Sequence, residues 1–315
     1  MTAVHVPSDA AAGPAIRSPL RRPVDRFCAS KPAVAGLVCI LALAILCYGS
    51  LPWTLGRYDF QDLNNVYQSP SLAHWMGTDA LGRDLLVRML LGGAISLTVG
   101  LASAAIAVVI GLSVGITAGY AGGRIDALLM RTVDVLYGLP YLLLVILLRV
   151  ALVDRISGVL GKVGAPEPET MANLLVLFVG IGAVSWLTMA RVIRAQVMSL
   201  RDQPFVEAAR AMGARPFRIM FRHIMPNLVG TILVYATLSV PNAILAESTL
   251  SFLGLGVQPP LPTWGSLASD GMAAINPIYI YWWLITWPCV ILTTALLCLN
   301  FVGDGLRDAL DPRRS

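Results

Sequence analysis

The sequence predicts an all-α, polytopic membrane protein with six transmembrane helices. Three observations carry that reading. Of 315 residues, 57% are hydrophobic and 13% charged, against about 45–50% and about 25% in a soluble domain. Mean hydropathy is +0.72. Charge-free apolar runs recur at about the 20-residue length that a bilayer-crossing helix needs. A soluble fold of this size would leave large apolar patches exposed. A disordered chain is poor in apolar residues, and transmembrane β-strands alternate and keep hydropathy low.

The polar stretch 1–31, with Arg17, Arg21, Arg22, Arg26 and Lys31, resembles the start of a signal peptide. The run behind it, Ala33–Trp53, lacks a small-residue cleavage site after it, which favours a retained first helix. The second helix is expected near 95–118, inside the run Met89–Gly123. Ahead of it, Thr78–Leu91 reads as an amphipathic helix. Leu81, Leu85, Leu86, Met89 and Leu90 share one face, and Asp79/Arg83 and Asp84/Arg88 stand as i,i+4 pairs. Val135–Leu148 is the third span, with Asp134 and Arg149 at the interfaces. Thr170–Ala190, Ile224–Ala246 and a helix near 278–302 complete the six. Gly111, Gly115 and Gly119 repeat at four-residue spacing, which permits close helix contact.

Ser248–Ser269 is charge-free too, but Pro259, Pro260, Pro262, Gly254, Gly256 and Gly265 break it. A lipid-facing helix cannot satisfy its backbone around so many breakers, so this stretch reads as an extended outer loop packed on the membrane domain. Tyr279, Tyr281, Trp282, Trp283 and Trp287 read as an interfacial aromatic belt.

Orientation follows from Lys and Arg. With the N-terminus inside and six spans, Arg57, Arg83, Arg88, Arg149, Arg155 and Lys162 fall outside, and the other 17 of 23 fall inside. That asymmetry places both termini in the cytoplasm and explains the basic balance without nucleic acid.

The absences narrow the function. The helix interiors hold almost no ionisable group; Glu247 and Asp134 are the nearest, at helix ends, so coupling to an ion gradient is disfavoured. Of the two lysines, neither Lys31 nor Lys162 precedes Ser or Thr, so there is no P-loop. His5, His74 and His223 form no metal-ligand pair, and no Gly-x-Ser-x-Gly elbow is present. Cysteines form no CxxC and read as free thiols. No catalytic residue, cofactor or metal site is expected, and energy for a pump would come from another subunit.

The loop Arg191–His223 holds the most specific element, Pro204-Phe205-Val206-Glu207-Ala208-Ala209-Arg210-Ala211-Met212-Gly213. Pro204 suits a first helical turn. Glu207 lies early, where the helix dipole favours an anion. The alanines keep the helix narrow, and Gly213 suits the C-terminal cap. The result is a thin helix of the kind that fits a groove on a partner, or alternatively a solvated basic loop that happens to be helical.

Glu207-Ala208-Ala209, Gly213 and then Pro226 resemble the EAA loop of ABC importer permeases. His74-Trp75-Met76-Gly77-Thr78-Asp79-Ala80-Leu81-Gly82-Arg83-Asp84 is similar to the outer-face signature of the dipeptide/oligopeptide/nickel branch. Ala118-Gly119-Tyr120, Leu250-Ser251-Phe252-Leu253-Gly254-Leu255-Gly256 and Pro262-Thr263-Trp264-Gly265 agree with the same branch. Two departures stand out: Met225-Pro226 replaces the usual Leu-Pro, and Ala94 stands where many relatives carry Arg.

The resemblance implies the type I importer permease fold in the inner membrane. It implies a tail over 1–31, a first helix and extracytoplasmic segment over 32–92, and a core permease domain over 93–312 with its coupling loop near 191–226. Pro204, Phe205, Glu207, Ala208, Ala209, Arg210 and Gly213 would dock an ATPase subunit. His74, Gly77, Thr78, Asp79, Gly82, Arg83 and Asp84 would form the outer-face signature. The implied partners are a second homologous permease, two ABC ATPase subunits, an extracytoplasmic substrate-binding protein, membrane lipid and a short-peptide substrate. Nickel or glutathione import, or a secondary transporter, are the alternatives.

Overall fold

A computed structural model describes residues 23–276 and 278–310. The tail 1–22 and the C-terminal Arg313 and Arg314 lie outside the described residues. The order is α1 (Pro23–Ala29), α2 (Lys31–Gly49), α3 (Leu51–Thr54), a 3-10 turn (Leu63–Asn65), α4 (Leu85–Ala121), α5 (Gly123–Tyr137), α6 (Tyr141–Lys162) and α7 (Pro168–Arg201). Then come α8 (Pro204–Ala211), α9 (Pro216–Ile219), a π turn (Met220–Ile224), α10 (Met225–Phe252), α11 (Trp264–Ala273) and α12 (Trp282–Leu310).

Five helical segments are long and apolar enough to cross a membrane: Lys31–Gly49, Leu85–Ala121, Pro168–Arg201, Pro216–Phe252 and Trp282–Leu310. The sixth candidate is a bent pair, Gly123–Tyr137 and Tyr141–Lys162, which meet at 94° as one broken span or a re-entrant loop. This corrects the continuous span expected over Val135–Leu148. Gly138 and Pro140 interrupt that run, because Pro140 disfavours helical backbone at Leu139. Arg149 consequently lies inside α6, where its Nη1 donates to the Leu255 carbonyl at 3.1 Å.

The spine of the bundle is α4 against α7. A Cβ at Gly111, Gly115 or Gly119 would come within 2.6 to 2.8 Å of Met189, Ala190 and Arg194. Lipid tails are as apolar as the helix surfaces, so close packing of this kind, rather than hydrophobic transfer, holds membrane helices together. Ser103 Oγ adds a hydrogen bond to the Phe178 carbonyl at 3.2 Å. The terminal spans α2 and α12 pack on each other, with Gly36 against the Cys298 backbone.

Three further expectations change. The segment Thr78–Leu91 is no single helix: α4 begins at Leu85, capped by the Asp84 carboxylate, which accepts from Val87 N at 3.1 Å. Residues before it fold as turns. The helix α7 runs on to Arg201, so the loop expected from Arg191 begins only at Asp202. Finally, Ser248–Ser269 is no extended loop throughout. Its start completes α10, and Trp264–Ala273 forms α11, with Trp264, Gly265 and Leu267 buried. No single helix crosses through that stretch, as its prolines require.

Candidate functional site

Three polar constructions stand out, two toward the start of α4 and one at its far end. With 37 residues in α4, the ends are about 55 Å apart at 1.5 Å per residue.

The first is an ionic clasp. Asp79, 4% exposed, accepts at Oδ1 from the backbone N–H groups of Leu81 (2.9 Å) and Arg83 (3.0 Å). Its Oδ2 accepts from Arg83 Nε at 2.8 Å and Arg88 Nη1 at 2.5 Å. Arg88 also reaches Asp270 on α11 at 3.4 Å, and Arg83 reaches Asp59 at 3.2 Å. Burial pushes the Asp79 carboxyl up, but Arg88, the two backbone donors and Arg83 outweigh it and hold the carboxyl below its usual range. Buried charges are tolerated when paired and hydrogen-bonded; both Asp79 oxygens are bonded, while Arg88 bonds through Nη1 and its buried Nε has no partner among the described residues.

The rest of the 74–84 signature builds this clasp. His74 Nδ1 meets Asp84 Oδ2 at 2.8 Å. Thr78 is buried; its hydroxyl accepts from Gln68 N at 2.8 Å and donates to the Asn65 carbonyl at 2.5 Å. Gly82, at φ +70°, lies so close to the Asp62 backbone that no Cβ fits. Gly77, at φ +81°, is hemmed by Gln68 and Trp283. His74, Gly77, Thr78, Asp79, Gly82, Arg83 and Asp84 therefore each have a partner or packing role within this chain, while Trp75 is 70% exposed. The expected pairs are half realised: Asp79 holds Arg83, but Asp84 caps α4, and Arg88 turns to Asp79.

Two of the five aromatics leave the expected belt. Trp283, 6% exposed, donates Nε1 to the Thr78 carbonyl at 3.3 Å. Tyr281 stacks on Tyr67 at 4.1 Å. Tyr279 and Trp282 remain exposed.

The second construction overturns the reading of Glu247 as a helix-end residue. It lies within α10 and is 0% exposed. Its Oε1 accepts from Ser251 Oγ at 2.6 Å, and its Oε2 from Ser96 Oγ at 3.1 Å and Ser248 Oγ at 3.4 Å. Ser96 Oγ in turn accepts from Trp264 N at 3.3 Å. The carboxyl thus ties α4, α10 and the start of α11 together. Hydropathy marks Glu247 only as the end of an apolar run. The Glu247-Ser248-x-x-Ser251 spacing, which sets hydroxyls on the same helix face, is the signal that could have revealed it. Ala94 is buried in the same region among Cys47, Leu97 and Trp264.

The third construction is α8. Pro204 opens it, and Gly213, at φ +81°, closes it. Gly213 N donates to the Arg210 carbonyl at 3.0 Å and Ala214 N to the Ala209 carbonyl at 3.1 Å, the paired bonds of a Schellman cap. Val206 and Ala209 are buried against Ile219, Ile224 and Leu228. Pro204, Phe205, Glu207, Ala208 and Arg210 face away from the bundle. Phe205 is 41% exposed and Met212 81%. Of the candidate docking residues, Ala209 therefore belongs to this chain's own core, and Met212 joins the outward face. Behind α8, Arg194 clamps Asp126 of α5 with two bonds of 2.5 and 2.6 Å. Arg201 Nη1 donates to the Gly119 carbonyl at 3.2 Å.

Long apolar helices, pinned at one end by buried charges and showing a capped short helix at the other, define a multi-pass membrane protein of importer-permease architecture. The family described as the binding-protein-dependent transport system inner membrane component matches residues 111–315, and this chain belongs to it. The chain is 44% identical over 291 residues to the oligopeptide transport system permease protein OppC of Haemophilus influenzae, covering 91% of this chain and 86% of that one. It is 40% identical over 287 residues to the dipeptide transport system permease protein DppC of Bacillus subtilis, covering 90% and 82%. Among solved structures, the inward-facing MetNI methionine ABC transporter shares the fold, with a TM-score of 0.53 at 19% identity over 72% of this chain and 96% of that one.

Proposed function

We propose that this chain is a permease subunit of an ATP-driven importer of short peptides, driven by separate ATPase subunits that dock on α8. It would work beside a second homologous permease, with two ATPase subunits on the cytoplasmic face and a substrate-binding protein outside. The Lys and Arg asymmetry supports that orientation, with the clasp outside. The relatives named for oligopeptide and dipeptide transport support the substrate class.

The observation that carries the coupling role is the outward face of α8. Among the described residues the side chains of Glu207 and Arg210 have no hydrogen-bonding partner, while Phe205 and Met212 expose apolar surface beside them. A narrow helix with mixed apolar and charged residues facing out suits insertion into a groove. ATP-driven closure of the ATPase pair would push α8, and the Arg194–Asp126 clamp would pass that movement to α5 and α7.

Ala208 is the place to test this, since Ala209 packs on this chain itself. Ala208→Trp should leave the subunit inserted at normal abundance, abolish peptide uptake and weaken co-purification of the ATPase. Gly213→Val should do the same through the cap, because a β-branched residue in left-handed backbone costs about 1–2 kcal/mol. Near-normal uptake in both variants at equal membrane abundance would rule out α8 as the coupling element.

A further inference from the structure

A cavity of about 570 Å³ opens beside the α5–α6 break, between α7 and α10. That volume falls within the 300–1,000 Å³ span of small-molecule sites. Its lining contains no charged residue; the polar groups are Tyr141, Ser185, Thr188, Tyr235, Ser239 and Asn242, with Tyr137 at the break itself. Tyr235, Ser239 and Asn242 lie four, then three, residues apart and so share one face of α10.

Two of these groups are already occupied locally: Ser185 Oγ donates to the Ile181 carbonyl at 3.0 Å and Ser239 Oγ to the Tyr235 carbonyl at 2.7 Å. The side chains of Tyr141, Thr188, Tyr235 and Asn242 make no hydrogen bond to any described residue. Asn242 lies well inside the apolar span Pro216–Phe252 and is exposed to the cavity. An amide without a partner is costly in an apolar setting, and lipid tails supply none. These groups are set for an occupant that brings hydrogen-bonding atoms of its own.

We infer that this cavity is a subsite for the peptide backbone along the translocation path, resting on the peptide-import reading above. Each residue of a peptide carries one N–H donor and one C=O acceptor whatever its side chain. Amide and hydroxyl side chains both donate and accept, so they match that repeat in either direction. No charged residue lines the wall, and Arg191, stacked on Tyr137 at 4.4 Å from the ring centroid, is paired with Asp134 at 2.8 Å, so acidic, neutral and basic side chains stay nearly equal at this point.

The complete transporter, with partner permease, ATPases and binding protein, is reconstituted in proteoliposomes, and initial uptake is read for Ala-Ala-Ala, Ala-Glu-Ala and Ala-Lys-Ala. Asn242→Leu should slow uptake of all three alike, by about three- to tenfold, the worth of one or two hydrogen bonds. Asn242→Asp keeps the shape but adds a carboxylate, and should raise the Ala-Lys-Ala to Ala-Glu-Ala ratio by about tenfold relative to wild type. Ser113→Ala, on an exposed face of α4, should match wild type. A thiol placed by Asn242→Cys should react with an impermeant reagent more slowly during peptide turnover. Wild-type rates and ratios in both Leu and Asp variants would overturn the subsite while leaving peptide import standing. A thiol shielded equally with and without peptide would mean that the second permease fills the cavity, and would also overturn it. Failure of wild type to move any of the three peptides would overturn the peptide reading and this inference with it.

Discussion

The clasp at the start of α4 and the short helix α8 are built from the same charged residue types and behave in opposite ways. In the clasp, Asp79, Arg83 and Arg88 turn inward and pair with one another, with Arg88 only 5% exposed and its Nε buried without a hydrogen-bond partner among the described residues. On α8, Glu207 and Arg210 turn outward, and Phe205 and Met212 expose apolar surface beside them. A region whose charges are paired within the chain is a structural anchor. A region that leaves charges and large apolar groups exposed is where we propose that a partner docks. Position in the sequence does not separate the two cases; where the partner atoms lie does.

The sharpest way to break that contrast is to remove one charge from each region. Arg88→Met leaves Asp79 with Arg83 as its remaining cation, and losing one partner of a buried pair costs about 3–5 kcal/mol. It should lower the amount of folded protein recovered from the membrane and its unfolding midpoint. Arg210→Met should leave both unchanged and reduce only ATPase co-purification. If Arg88→Met is as stable as wild type, the clasp is not an anchor.

A paired glycine test is gentler. Gly82 and Gly213 both have positive φ, at +70° and +81°. A Cβ at Gly82 meets the Asp62 backbone, whereas at Gly213 nothing lies within 4 Å. Gly213→Ala should therefore cost only the left-handed penalty of about 1 kcal/mol, and Gly82→Ala clearly more, read as the shift in unfolding midpoint in detergent. Equal shifts would mean that the clasp backbone gives way without cost.

The smallest effect concerns pH. Because the folded-state carboxyl of Asp79 is held below its usual value, its stabilisation is complete above about pH 3.9 and lost as pH falls further, through the folded value. Protease resistance of the 55–84 stretch should be level from pH 7 to pH 5, and Asp79→Asn should reduce it throughout that interval. A wild-type loss already at pH 6 would mean that another group controls the clasp.

Several of these features were open to direct reading. The Pro204 start and Gly213 stop of α8 follow from backbone chemistry that acts within a few residues, and so does the four-residue glycine repeat on α4. The break at Gly138–Pro140 was also written locally, but the apolar run around it masked it, since hydropathy averages over a window and a breaker acts at one peptide bond. Ala209 looks identical to Ala208 in sequence; only the bundle beneath α8 buries one and exposes the other.

The sequence by itself determined the membrane class, the five long apolar helices and the short capped helix, because composition, window hydropathy and capping depend on neighbours along the chain. Tertiary structure alone decided where the buried charges go. Arg88 meets Asp270 across 182 residues, and Ser96 meets Glu247 across 151. Such pairs leave no periodic trace, because a carboxylate is stabilised by whichever donors the fold brings within about 3 Å, and chain distance does not enter that energy.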